Sequence, residues 1–325
     1  MDIKQAMKRV NQDNFMKEGG KLLPQTTNPK AIEKELYMLQ VQAGQKILEI
    51  GTGSGYSTAL LATLTESNGM VVSVDIDPML TERAKKKLTT YNHVTCVTGD
   101  GRNGYAPLAP YDRIIAWATP NHLPNAWKNQ LKNDGILVTP FQVRPLANCI
   151  VTVRLKKQNG KLLGEQVSAE GYIAMTDEPL VDFFGYEAQA EIAGEGKDPY
   201  WASSIWMKKH PHNEWTQTFL SAQPIPSPYP NTGKDLRAFL LGTFPNGFTT
   251  AYHPEHGFWI GYSTPKGFAF ASESASKWLV SDFEHKNVLE DWWKKWKRLG
   301  QPSYSELLPY VDGQMIKVKL KGGLK

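Results

Sequence analysis

Two cysteines, no long apolar run and little excess of either charge mark what this sequence does without. Two cysteines allow one disulfide at most, not a framework of them. Cys96 and Cys149 lie in apolar, strand-like contexts with no basic neighbour, so both are expected as reduced, buried thiols rather than nucleophiles. No stretch approaches the roughly 18 continuous apolar residues of a membrane span. The polar opening Met1-Asp2-Ile3-Lys4-Gln5 lacks the apolar core of a signal peptide, and a cytoplasmic location is the expectation. A net charge of +5 over 325 residues is mild. It does not by itself call for nucleic acid, and it is compatible with an acidic peptide partner. Internal repeats and low-complexity tails are also missing. The histidine groups His210-Pro211-His212 and His253-Pro254-Glu255-His256 each contain a proline that breaks the helical i, i+4 spacing of zinc sites. They read as loop or surface histidines, and no metal is expected.

What is present is ordinary in bulk, 41% hydrophobic and 21% charged, with enough length for a sizeable core and two domains. One stretch organises the rest. Lys46-Ile47-Leu48-Glu49-Ile50 is a short apolar run with an acid near its end, followed by Gly51-Thr52-Gly53-Ser54-Gly55. It reads as a buried strand, a tight turn and the start of a helix, the arrangement that holds a nucleotide-like ligand. Charge chooses between ligands. A dinucleotide would bring a pyrophosphate against the helix start, and Glu49 beside it would repel it. S-adenosylmethionine carries a sulfonium and an ammonium, which the same acid would attract. Asp75 closes the next apolar run, Val71–Val74, where an acid binds ribose hydroxyls. Asp100, in Gly99-Asp100-Gly101 after a third run, is placed to reach the adenine amino group. Acids at three successive strand ends point to a class I methyltransferase core.

The flanking patterns agree with that core. Residues 1–18 read as an amphipathic helix, and a second helix runs from Pro29 to Gln40, preceded by the loop that holds Thr26, Thr27 and Asn28. From residue 45 to about 150 the pattern alternates strand and helix as a doubly wound, Rossmann-like α/β sheet requires, and residues 149–167 form a hairpin around Asn159-Gly160. The composition shifts near Glu178-Pro179. Eight of the ten tryptophans lie beyond it, together with the proline-rich stretch Pro224–Pro230. Two domains are therefore expected, a core of residues 1–178 and an α+β extension of residues 179–325. Within the extension, Gly257–Tyr262 and Gly267–Ala271 read as paired strands. Asn287–Leu299 reads as a helix with the stripe Val288, Leu289, Trp292, Trp293 and Trp296 facing a core and a solvated basic back.

With these motifs in order, the first 178 residues resemble the protein-L-isoaspartate (D-aspartate) O-methyltransferases. Leu48-Glu49-Ile50-Gly51-Thr52-Gly53-Ser54-Gly55-Tyr56 is similar to that family's cofactor motif. Gly99-Asp100-Gly101, Pro110-Tyr111-Asp112-Arg113-Ile114-Ile115 and Gln130-Leu131-Lys132-Asn133-Asp134-Gly135 follow in matching order. Thr27-Asn28-Pro29 falls where the family has a serine, a variable residue and a proline, and Trp117-Ala118-Thr119 replaces its usual Thr-Ala-Ala. The extension resembles that of members acting on ribosomally made peptides such as lanthipeptides, lasso peptides and graspetides. Glu290-Asp291-Trp292-Trp293, Gly300-Gln301-Pro302 and Val311–Val318 carry that likeness.

The resemblance implies S-adenosylmethionine-dependent O-methylation of an aspartyl or isoaspartyl carboxylate in a peptide or protein. A carboxylic acid of pKa about 3.9 is already an anion at neutral pH, so no catalytic base is required. Thr27 is expected to orient the acceptor carboxylate, with Thr26 and Asn28 shaping its loop. Glu49, Gly51, Thr52, Gly53, Ser54, Asp75, Ile76, Gly99, Asp100 and Gly101 are expected to hold the cofactor. The extension would select the peptide, the chain acting as a monomer with neither nucleic acid nor membrane as partner. General isoaspartyl repair is the alternative, and a cofactor-fold binding module without turnover is a third reading.

Overall fold

A computed structural model of the chain describes residues 1–23, 26–178, 190–194, 199–209 and 215–322. It contains two compact units that are interleaved in sequence. One comprises Met1–Phe141, Val151–Asp182 and Pro309–Ile316, and the other Gln142–Ile150, Phe183–Leu308 and Lys317–Lys325. The composition shift at Glu178-Pro179 borders residues 179–189, which lie outside the described ones.

In the first unit the strand–helix alternation becomes a seven-stranded sheet. Its strands are β1 (Lys46–Ile50), β2 (Met70–Asp75), β3 (Val94–Thr98), β4 (Tyr111–Ala116), β5 (Leu131–Gln142), β6 (Ile150–Gln158) and β7 (Lys161–Ser168), in the order β3-β2-β1-β4-β5-β6-β7. Strands β3 to β5 pair in parallel and β6 with β7 antiparallel. The β6–β7 turn has Asn159 and Gly160 at positive φ, 48° and 74°, the geometry of a two-residue hairpin loop. The order reverses beside β1, and ligands of open parallel sheets bind outside the strand ends at such a reversal.

The expected single N-terminal helix is two, α1 (Ile3–Arg9) and α2 (Gln12–Met16). Val10 turns extended and the Asn11 side chain accepts the Asp13 amide, so a local cap outcompetes helix continuation. Helix α3 (Pro29–Leu39) is capped by the Asn28 side chain and ends at Gln40 in the left-handed conformation. Helix α4 (Tyr56–Thr65) has apolar residues all round and is buried nearly throughout; the core over β1 and β2 includes its Leu60, Leu61 and Leu64 with Ala6, Ile32 and Leu36. Helix α5 (Pro78–Lys87) starts at the Asp77 cap, and α6 is Asn125–Gln130.

Helix α3 also buries Glu35, which is only 1% exposed. One of its oxygens accepts the Ser168 hydroxyl at 3.2 Å, and the other has no partner among the described residues. Burial pushes the carboxyl up to about 8 from 4.5, against the smaller downward pull of Ser168 and Lys34. Between those values the folded chain keeps a proton that the unfolded chain has released. Stability therefore falls as pH rises through that window, and the loss is complete above about 8. Glu35→Gln is expected to be more stable than wild type at alkaline pH, by on the order of a few kcal/mol, and to lose that advantage in acid. Thermal melts of both proteins across the window check it.

The second unit is built on a seven-stranded sheet whose pairings among the described residues are antiparallel. It uses β8 (Ile192–Gly194), β9 (Tyr200–Ser204), β10 (Ile225–Pro226), β11 (Phe248–His253), β12 (Gly257–Thr264), β13 (Gly267–Ser272) and β14 (Lys277–Val280), ordered β8-β9-β11-β12-β13-β14-β10. Helices α7 (Trp215–Ser221), α8 (Gly233–Thr243) and α9 (Phe283–Arg298) accompany it. Trp215 stacks on Phe219 at 5.1 Å and meets Phe268 edge-on at 5.4 Å, giving this unit an aromatic core. In the α9 stripe Leu289, Trp293 and Trp296 are buried, whereas Val288 and Trp292 are only half-buried.

Of the histidines, His253 corrects the surface reading: it is buried at the end of β11 and stacks on His256 at 4.5 Å. His210 and His212 lie outside the described residues. Both cysteines are free and buried, and burial pushes Cys96 up to about 11 and Cys149 up to about 12. Neither is expected to react with Ellman's reagent at neutral pH until the protein unfolds. No helix among the described residues is long and apolar enough to cross a membrane.

Candidate active site

Beyond the end of β1 the chain makes the glycine turn, with Gly51 at φ +94° and Gly53 at +48°. A side chain at Gly51 would be strained, and its Cβ would lie 3.3 Å from that of Trp117. The Gly53 amide donates to Asp75 Oδ2 at 2.9 Å, and Asp75 Oδ1 accepts the Asp77 amide at 3.0 Å. Asp75 thus ties its own strand end to the turn of the neighbouring strand. Burial holds its carboxyl above the ordinary range despite these amides.

A cavity opens over this turn. Gly51, Thr52, Gly53 and Ser54 form one side, with Asp75, Ile76, Asp77, Asp100 and Gly101 beyond them. Gly101 has no room for a side chain, since a Cβ would lie 2.4 Å from Ile50 Cγ2. Asp100 is engaged by Arg102, whose Nε donates to both carboxylate oxygens at 2.9 and 3.0 Å. Burial pulls this carboxyl upward, but the Arg102 bonds and charge outweigh it and leave it low. Among the described residues, those lining the cavity include three aspartates and no lysine, arginine or histidine. That set suits a cationic ligand and disfavours a pyrophosphate.

Of the three loop residues, Thr27 lines the cavity. Thr26 donates its hydroxyl to the Leu23 carbonyl at 2.7 Å, and the exposed Asn28 caps α3 by accepting the Lys30 amide at 2.9 Å. Those two hold the loop and do not reach the cavity wall.

Glu49 is a correction. Strand alternation turns Ile50 to the cavity and Glu49 away from it, fully buried beside α4. Its carboxyl accepts from Ser57 and Thr58, both at 2.5 Å, from Ser73 at 2.7 Å and from the Trp117 indole at 2.9 Å. Burial raises its pKa in spite of these four donors. Glu49 braces the site from behind by holding Ser57 and Trp117, both of which line the cavity. Gly99 is likewise off the wall, its amide bonded to the Asp75 carbonyl at 2.8 Å.

The remaining wall was not read from the sequence. Ile173, Ala174, Met175 and Thr176 line the cavity, anchored by Thr119 N–H to the Ile173 carbonyl at 2.6 Å and Met175 N–H to the Thr119 carbonyl at 2.8 Å. Arg102 also donates to Asp177 at 2.5 Å, tying this segment to Asp100. Nothing in Gly171–Thr176 carries a glycine turn or a strand-end acid, so no local signal marked it.

Residues 1–179 match the family model described as Protein-L-isoaspartate(D-aspartate) O-methyltransferase. The chain belongs to that family. As a protein-L-isoaspartate O-methyltransferase family member it is an S-adenosylmethionine-dependent enzyme, and the aspartate-lined glycine turn fits that cofactor. It is 36% identical over 158 residues to a protein-L-isoaspartate O-methyltransferase of Ignicoccus hospitalis, covering 44% of this chain and 75% of that one. It is 36% identical over 142 residues to a Methanococcus maripaludis enzyme of the same name, covering 43% and 65%. A solved protein-L-isoaspartate O-methyltransferase structure superimposes over 98% of this chain and 94% of its own, with a TM-score of 0.51 and 18% identity. That likeness is one of fold, and it extends through the second unit.

Proposed function

We propose that this protein methylates the free carboxylate of an aspartyl or isoaspartyl residue in a ribosomally made peptide, with residues 179–325 selecting that peptide. The observation that carries the reaction is that Thr27 lines the same cavity as the glycine turn and Asp75. A hydroxyl donor for an anionic acceptor and acidic groups for a cationic cofactor thus meet in one space. When bound, S-adenosylmethionine supplies a methyl group on a sulfonium, which a carboxylate oxygen takes to give a methyl ester and neutral S-adenosylhomocysteine.

The protein's own part is alignment and exclusion of water. Thr27 donates to one oxygen of the acceptor carboxylate and leaves the other free to attack. Trp117, held by Glu49 and edge-on to Tyr172 at 5.8 Å, closes one side, and Ile173–Thr176 close another. Asp75, Asp77 and Asp100 match the charge and hydroxyls of the cofactor. After transfer, the next backbone amide nitrogen of the peptide attacks the ester carbonyl, methanol leaves, and a succinimide forms. Water then opens the ring to aspartate or isoaspartate.

The departures Thr27 and Trp117 support a dedicated acceptor, because both add bulk beside the cavity. General isoaspartyl repair is the second reading, favoured by the family match of residues 1–179 and by the similarity to the Ignicoccus hospitalis protein-L-isoaspartate O-methyltransferase. Intact-mass analysis separates them. A dedicated enzyme is expected to add one methyl to an Asp-containing precursor peptide at least about a hundredfold more efficiently than to a short isoaspartyl peptide. Comparable rates on both select repair. Cofactor binding by calorimetry with no product on any peptide selects the non-catalytic reading.

A further inference from the structure

The second unit contains a groove that the methyl-transfer chemistry does not use. Ile205, Trp206, Phe244, Tyr262, Val288 and Trp292 form its apolar walls, drawn from the end of β9, the turn after α8, β12 and α9. These walls are held in place. The Trp206 indole donates to the Ser263 hydroxyl at 2.8 Å, and Trp292 meets Tyr262 edge-on at 5.7 Å. Ile205 is nevertheless 45% exposed, and Val288 and Trp292 are half-buried, so the groove presents apolar surface to solvent.

Its border is basic. Lys209 lines the groove itself. Trp292 also lines the adjoining depression, which it shares with Asp291, Lys294, Lys295, Lys297 and Arg298. Lys294 is paired with Asp291 at 3.2 Å, and Lys297 lies over the Tyr229 ring at 4.5 Å. Lys209, Lys295 and Arg298 are exposed and form no ion pair among the described residues. The helix dipole accounts for cations in the last turn of α9. It does not account for an open aromatic groove beside them.

We propose that this groove is a docking site for an acidic segment of the polypeptide substrate, an apolar side chain seating against Trp292 and Trp206 and flanking carboxylates meeting Lys209, Lys295 and Arg298. A preformed aromatic pocket with a cationic rim recognises an apolar residue set among aspartates and glutamates. The inference rests on the proposed function for the identity of the polypeptide. Docking there raises the affinity of a long substrate without touching the reacting atoms, so it acts on KM.

The test uses the full chain and a fluorescein-labelled peptide of about 20 residues of Asp, Glu, Leu and Gly that carries one isoaspartyl residue. Trp292→Ala, and separately the exposed pair Lys295→Glu with Arg298→Glu, are expected to raise its Kd by anisotropy and its KM about tenfold. The kcat, and turnover of a short isoaspartyl peptide, are expected to stay unchanged. A neutral Asn/Gln analogue is expected to bind about tenfold more weakly than the acidic peptide. Unchanged Kd and KM in the charge-reversal variant, which keeps the apolar core intact, would overturn the proposal. So would displacement of the peptide by a single-stranded oligonucleotide or phosphatidylserine vesicles at lower concentration than by unlabelled peptide. Methyl transfer that ignores both variants removes the groove and leaves the reaction. Variant-sensitive binding with no methyl ester removes the reaction and leaves the groove.

Discussion

Thr27→Val is expected to lower kcat about a hundredfold while cofactor affinity stays within about twofold. The substitution keeps the shape of the side chain and removes only the hydroxyl. A hydrogen bond to a charged group is worth about 1.5–3 kcal/mol, which corresponds to a rate factor of about ten to a hundred and fifty. The upper half of that range applies because the acceptor carboxylate has been taken out of water and has lost its competing donors. Fold stability is expected to be unaffected, since among the described residues the loop's side-chain hydrogen bonds come from Thr26 and Asn28 and none from Thr27. Thr27→Ser, which restores the hydroxyl without the methyl, is expected to keep most of the rate. Single-turnover measurement of ester formation, with calorimetry of cofactor binding, checks both halves. A Thr27→Val enzyme with wild-type kcat would remove the hydroxyl from the mechanism.

Asp75→Ala is expected to weaken cofactor binding about a hundredfold, with a proportional fall in kcat/KM at low cofactor concentration. Two effects add. The carboxylate that would accept the ribose hydroxyls is gone, and the Gly53 amide loses the acceptor that holds the turn at 2.9 Å. Asp75→Asn retains an oxygen for Gly53 but replaces the other with a donor, so an intermediate loss of about tenfold is expected. Asp75 is only partly buried, so the alanine variant is expected to stay folded. Titration calorimetry of the wild type and both variants gives the order. Equal affinities in all three would place the ribose elsewhere.

In the proposed reaction the two substitutions divide the cavity between them, Thr27 serving the acceptor and Asp75 the donor, and both residues line it. A single variant that changed both parameters would mean that the two sides communicate. Glu49 is the residue through which this would occur, because one oxygen of its carboxyl accepts from both the Trp117 indole and the Ser57 hydroxyl, and both of those residues line the cavity.

The parallel core was legible in the residues because each of its signals is local. A buried strand needs an apolar run, and the turn after β1 needs glycine where φ is positive. The α4 start at Tyr56 and the β1 limits Lys46 and Ile50 lie where the pattern places them. The loop with Thr27 was legible for the same reason, since proline at the start of α3 marks its end. The face on which Glu49 lies was misread. A charge at a strand end suggests a ligand contact, but side-chain alternation sends it to the opposite face, where four donors from α4, β2 and Trp117 satisfy it.

What the amino-acid order determined, then, was the sheet, the glycine turn, the cofactor class and the hydroxyl-bearing loop, all properties of short stretches and their spacing. The tertiary structure alone decided that Asp75 holds the turn, that Glu49 stands behind the cavity and that Ile173–Thr176 forms part of its wall. It also split the α9 stripe into buried Leu289, Trp293 and Trp296 and accessible Val288 and Trp292. Such facts depend on which distant segments meet, and no periodicity within one segment encodes its neighbours.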